Sequence, residues 1–199
     1  MIGTGVDPTL QLVARAGLSL LLGWSGAHKL RDVGAFRAAL EGYELLPPRW
    51  AVPAGAGLIA AEVGIATGLL LPRVAGVAAL AAAGLLTLYA AAIAINLVRG
   101  RRDIDCGCAG PAGRQPISAG LVARNAALAA VALVGAVPTA ARPLTWLDGV
   151  TVLAGVAALG LLYAAADGLL ANAPRSAALG HVHVFEMGAA SPAHEGAHD

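Results

Sequence analysis

Residues 74–98 read VAGVAALAAAGLLTLYAAAIAINLV, an unbroken run without one charged side chain. A hydrocarbon core about 30 Å thick needs roughly 20 helical residues at about 1.5 Å each, and this stretch supplies them with apolar groups on every face. A helix of that kind has no polar side to show to water, so the run predicts a membrane span. Just before it, Leu71-Pro72-Arg73 makes a tight turn to a second apolar block at 51–71. The two predict an antiparallel helical hairpin. Three more blocks of the same kind run over 10–27, 118–137 and 150–171, and none alternates as a transmembrane strand would.

The composition agrees. Over 199 residues, 58% are hydrophobic and only 13% are charged, against about 25% charged in a soluble domain. Mean hydropathy is +0.73. These values exclude a soluble enzyme, a nucleic-acid binder and a disordered chain. They predict an all-α, polytopic helical bundle over 1–172 with the lipid bilayer as its solvent. Residues 173–199 carry His181, His183, His194 and His198 among Gly and Ala and read as a polar, disordered tail. The first block follows no basic segment and is not succeeded by a small-residue cleavage site, so it reads as a retained helix rather than a signal peptide.

Charge asymmetry orients the spans. One side receives Lys29, Arg31, Arg37, Arg49, Arg99, Arg101, Arg102, Arg114 and Arg175; the other receives only Arg15, Arg73 and Arg142. The positive-inside rule makes the first side cytoplasmic, with the N-terminus outside and the C-terminus inside a bacterial inner membrane. Gly64 and Gly68 form a small-xxx-small repeat in the second block. Both a homodimer face and packing within one bundle fit that pattern. Phe36, Leu40 and Tyr43 recur at helical spacing between charges, the mark of a short amphipathic helix at the membrane surface that connects two spans.

Few residues carry chemistry. Both cysteines fall in one loop, Asp105-Cys106-Gly107-Cys108-Ala109-Gly110-Pro111. Nearby Arg101, Arg102 and Arg114 favour a thiolate while Asp103 and Asp105 oppose it, which makes Cys106 and Cys108 a candidate redox pair. Inert cysteines are the other reading. A structural zinc site lacks the four ligands it needs, so no metal is expected. Inside the spans stand Arg15, Glu62, Arg124 and Asp167, each costing at least about 2.5 kcal/mol in hydrocarbon unless paired or wetted. Arg15 and Asp167 lie nearer span ends and read as interface residues. Glu62 is central in the second block. Arg124 and Asn125 share a helical face with Leu121 and Leu128. From that face Arg124 can stabilise a thiolate, a quinone oxygen or a loop carbonyl; a Glu62–Arg124 ion pair is the structural alternative.

These residues, in order, resemble the MauE family of methylamine utilisation membrane proteins, within the wider DoxX-like group. The resemblance is carried by His28-Lys29-Leu30 closing the first helix, Tyr43-Glu44-Leu45-Leu46-Pro47, Cys106-Gly107-Cys108 ahead of the fourth helix, and Arg124-Asn125 inside it. It covers roughly residues 10–170. It implies a DoxX-like four-helix core, here joined by a fifth transmembrane helix. It also implies a part in maturing the disulfide-rich small subunit of methylamine dehydrogenase, beside a thioredoxin-fold, MauD-like periplasmic partner.

The expected function is therefore a membrane redox protein that exchanges thiol and disulfide equivalents through Cys106 and Cys108, with Arg124, Glu62 and Asn125 tuning the site or moving protons. A cytoplasmic loop and a periplasmic partner conflict unless the loop turns back into the bundle, which Gly110, Pro111, Gly113 and Pro116 permit, or the positive-inside assignment fails for this chain. The alternatives are a non-catalytic scaffold or chaperone for a redox partner, and a small-molecule transporter.

Overall fold

In the computed structural model the described residues are 5–107, 115–140 and 142–189, with side chains described as far as residue 172. Among the described residues every extended element is a helix. The chain runs through α1 (Pro8–Arg31), α2 (Val33–Gly42), a 3-10 turn (Pro48–Trp50), α3 (Ala51–Leu70), α4 (Ala75–Val98), α5 (Ala119–Ala136) and α6 (Trp146–Ala189). Among the described residues, four stretches are long and apolar enough to cross a membrane: Pro48–Leu70, Ala75–Val98, Ala119–Ala136 and Trp146–Asn172. The protein is a polytopic membrane bundle.

The helix containing the first expected span is not among these four. Its 24 residues in α1 are length enough, but Gln11, Arg15, Ser19 and Ser25 along it make it less apolar than the others. Its polar side chains turn inward: Gln11, Ser19 and Lys29 are all buried. The fifth expected block, 150–171, does qualify, as part of α6. Most of the tail expected at 173–199 lies in the continuation of α6 to Ala189, and residues 190–199 lie outside the described residues.

Local chemistry sets the boundaries. Asp7 caps α1 by accepting the Thr9 N–H at 2.8 Å, and Pro8 takes the first helical position, where no N–H is needed. Asp32 ends α1 and caps α2 by accepting from Ala35 N–H at 2.9 Å. At the opposite end of the bundle Val6 pairs with Thr139 in a parallel bridge.

Leu18 and Leu22 of α1 meet Ala66 and Leu69 of α3, Ala78, Ala79, Ala82, Ala83 and Leu86 of α4, and Ala129 and Ala132 of α5. Alanine dominates because helices in lipid gain mostly from close van der Waals packing, which small side chains allow. Gly68 is one such point: a Cβ there would stand 3.0 Å from that of Ala78. Gly64, by contrast, has open space around it. A second cluster, Tyr43, Ile93, Cys106, Ile117 and Leu121, closes the end where α2 lies.

Candidate functional site

Three of the ionic centres among the described residues join helix to helix. The innermost joins α1 to α3. Lys29, in the last turn of α1, pairs with Glu62 halfway along α3, and the two side chains are 3% and 0% exposed. Lys29 Nζ also donates to Ser25 Oγ at 2.9 Å, one helical turn back. Glu62 Oε1 accepts from Tyr89 OH of α4 at 2.8 Å and from Ser25 Oγ at 3.2 Å. Among the described residues Glu62 Oε2 has no hydrogen-bond partner. The ammonium lies 5.2 Å from the ring centroid of Phe36 on α2 and 5.3 Å from that of Tyr89, near enough for cation–π attraction. Four helices thus converge on one buried ion pair.

The second centre joins α5 to α6. Arg124 pairs with Asp167 and lies over the Tyr163 ring, 5.2 Å from its centroid. The third sits where α1 and α6 begin. Arg142 donates to Asp7 Oδ1 and Oδ2, each at 3.0 Å, and to Asp148 Oδ1 at 2.7 Å. Thr9 Oγ1 donates to Asp148 Oδ1 at 2.8 Å. The hydrogen bond from Arg142 is the largest influence on the Asp7 carboxyl and holds its pKa at about 2.

The sequence-predicted residues are therefore dispersed. Glu62 and Arg124 do not pair with each other; each has a separate partner on a different helix. Asn125 is buried but bonds within its own helix, donating to Leu121 O at 2.9 Å. Asp167 and Arg15, read as interface residues, both bond across helices, Arg15 Nε donating to Gly135 O at 2.9 Å. Lys29, Ser25, Tyr89 and Phe36 were missed as members of the central site. The only signal for them was the four-residue spacing of Ser25 and Lys29, which puts both on one helical face.

The expected thiol–disulfide relay is overturned. Cys106 is 6% exposed and packed among Tyr43, Ile93, Ile117 and Leu121. Its N–H donates to Gln115 O at 2.9 Å, and its carbonyl accepts from Tyr43 OH at 3.3 Å, so the backbone beside it is fixed. Among the described residues there is no cysteine pairing at disulfide distance and no group of His, Cys, Asp or Glu that could hold a metal ion. Exchange requires an attacking thiolate to reach the sulfur, and a folded thioredoxin-type domain cannot approach one walled in this way. Cys108 and the glycine–proline turn through Gly110, Pro111 and Gly113 lie outside the described residues.

Between α2, α3, α4 and the Cys106–Gly107 segment lies a cavity of about 440 Å³. Lys29 is on its wall, with Phe36, Tyr43, Tyr89, Ile93 and Cys106.

The model of the family described as "Methylamine utilisation protein MauE" matches residues 7–138. The methylamine utilization protein MauE of Paracoccus denitrificans is 39% identical over 164 residues, covering 81% of this chain and 88% of that protein. That of Methylophilus methylotrophus is 37% identical over 167 residues, with coverages of 81% and 86%. That of Methylorubrum extorquens is 41% identical over 160 residues, with coverages of 80% and 81%. No solved structure matches the chain.

Proposed function

The chain belongs to the MauE family of methylamine utilisation proteins, and from that premise we propose that it is a non-catalytic scaffold of the bacterial inner membrane, holding a partner protein for methylamine utilisation. One observation carries this reading. The three ionic centres, Lys29–Glu62, Arg124–Asp167 and Arg142–Asp7–Asp148, each tie one helix to another. Groups committed to mutual contacts rigidify a bundle; they do not poise it for turnover.

In this reading α1 is a fifth crossing, made tolerable in lipid because its polar side chains face other helices. Lys29, Arg31, Arg37, Arg49, Arg99, Arg101 and Arg102 belong to the end carrying α2 and the cysteine segment. The positive-inside rule makes that end cytoplasmic, with the N-terminus outside. The Arg142 centre then faces the periplasm, and the partner, a thioredoxin-fold protein with its client, docks there. No passage of the cysteine segment through the membrane is needed.

The test is capture of the partner. Tagged full-length chain is solubilised from membranes of methylamine-grown cells, and the co-purifying thioredoxin-fold protein is quantified. Capture is expected to survive the double variant Cys106→Ser, Cys108→Ser and to fall with Arg142→Ala. Loss of the partner in the double cysteine variant, or its release by reductant, would overturn the scaffold reading.

A further inference from the structure

We propose that the cavity beside Lys29 binds an uncharged, membrane-soluble molecule presenting a carbonyl oxygen on an apolar body. Its volume of about 440 Å³ lies within the range of roughly 300–1,000 Å³ typical of small-molecule sites, and the composition, mostly apolar walls with one charged group, is typical too. Leu45, Leu46, Gly57 and Leu88 are the exposed members of the lining, Leu46 and Leu88 being 46% and 55% exposed. All four are apolar, and Gly57 and Leu88 stand on two of the membrane-crossing helices. A mouth of that composition admits molecules dissolved in lipid.

The polar point selects the head group. Lys29 Nζ donates to Ser25 Oγ and to Glu62, and among the described residues no third oxygen receives from it. The remaining N–H lies beside Phe36 and Tyr89, both of them cavity walls. A carbonyl oxygen entering the cavity accepts that proton without displacing either existing partner. Glu62 already balances the ammonium, so the site as a whole is neutral. An anionic head would leave an uncompensated negative charge in apolar surroundings, and a cationic head would face Lys29 directly. A plain hydrocarbon would leave the third N–H facing only the rings. A neutral acceptor is the one class that adds a bond and no net charge.

The site is independent of the scaffold role, and ligand binding is read without the partner. Full-length protein in nanodiscs is photolabelled with three diazirine probes that share one alkyl chain and end in a methyl ketone, a carboxylate or a methyl group. The ketone is expected to label α2 and α4 peptides about tenfold or more above the other two, the factor that a hydrogen bond from a charged donor supplies. The double variant Lys29→Met, Glu62→Gln removes both charges together and is expected to bring ketone labelling down to that of the hydrocarbon. A Cβ at Gly57 meets nothing within 4 Å, so Gly57→Phe begins without a clash at the mouth, and it is expected to block all three probes while keeping the native helical circular dichroism. Equal labelling by ketone and hydrocarbon would show an acyl-chain niche only. Preference for the carboxylate, or a ketone preference that survives the double variant, would equally overturn the proposal.

Discussion

The carboxylate of Glu62 is closed inside the bundle against the ammonium of Lys29, a residue that stands near the charged end of α1 and would have been free to reach water. Lys29 instead turns inward, to 3% exposure, and Glu62 shows none of its surface. Each makes the other tolerable, since either alone would be an isolated charge among apolar side chains.

Single substitutions at this pair should therefore be severe and the double one mild. Lys29→Met or Glu62→Leu leaves one buried charge unmatched, a change that costs about 3–5 kcal/mol, whereas replacing both restores neutrality. Unfolding of the purified protein in mixed micelles, followed by helical circular dichroism, measures all three. A double variant as unstable as the sum of the singles would contradict the pairing.

The Arg124–Asp167 tie makes a separate prediction for α6. Arg124→Ala and Asp167→Ala should each loosen α6 from α5, and the double-mutant cycle should show a coupling of roughly 0.5–3 kcal/mol. Limited proteolysis between α5 and α6 should accelerate in every variant. Tyr163→Leu should add a smaller loss, because the Arg124 guanidinium lies over that ring.

At the other end of the molecule the dependence is on pH. Asp7 is held at about 2, below its ordinary value of 3.8. A depressed carboxyl contributes stability that is complete above the ordinary value and is lost as pH falls through the depressed one. The Asp7–Arg142 part of the contact between residues 5–9 and 137–148 should therefore be intact from neutrality down to about pH 4 and weaken between about pH 4 and pH 2, while the Asp148 carboxyl, which Arg142 holds lower still, keeps its bonds. Hydrogen exchange at Val6 and Ala140, whose N–H groups bond across this contact, reports the weakening. Arg142→Gln should move it to higher pH.

Cys106 should be closed to reagents that come from water. In a Cys108→Ser background, a bulky, charged, membrane-impermeant maleimide should modify Cys106 only after denaturation, because its side chain is buried among Tyr43, Ile93, Ile117 and Leu121. Rapid labelling of the native protein from either side would reopen the case for a reactive thiol.

What could be read from the chain follows from where each signal resides. Apolar blocks are contiguous, so α3, α4, α5 and α6 were legible from hydropathy alone. Phe36, Leu40 and Tyr43 announced α2 through their spacing, and Phe36 and Leu40 do pack on α3, near Gly55. The pairing of charges was not legible, because it depends on helix rotation. Arg124 and Glu62 were both recognised as buried groups needing partners, yet nothing local distinguishes a Glu62–Arg124 pair from the observed Glu62–Lys29 and Arg124–Asp167. Lys29 and Asp167 were assigned to span ends by position. A long side chain near a helix end has the reach to go outward or inward, and only the neighbouring helix decides. The cysteine pair misled for a related reason: its spacing and flanking charges are sequence properties, while burial of Cys106 comes from Tyr43, Ile93 and Leu121, far away in the chain.

The sequence separation of Lys29 and Glu62 bears on how the protein is made. Glu62 lies 33 residues downstream, in a later helix, so during synthesis α1 emerges before its counter-charge exists. The bond from Ala140 N–H to Val6 O comes later still. The first helix thus has its contacts completed only by segments made after it. It must wait at the insertion machinery or the bilayer surface, cation exposed, until α3 arrives. Truncations that remove α3 should leave α1 stranded there, prone to extraction and degradation, whereas truncations after α5 should spare it.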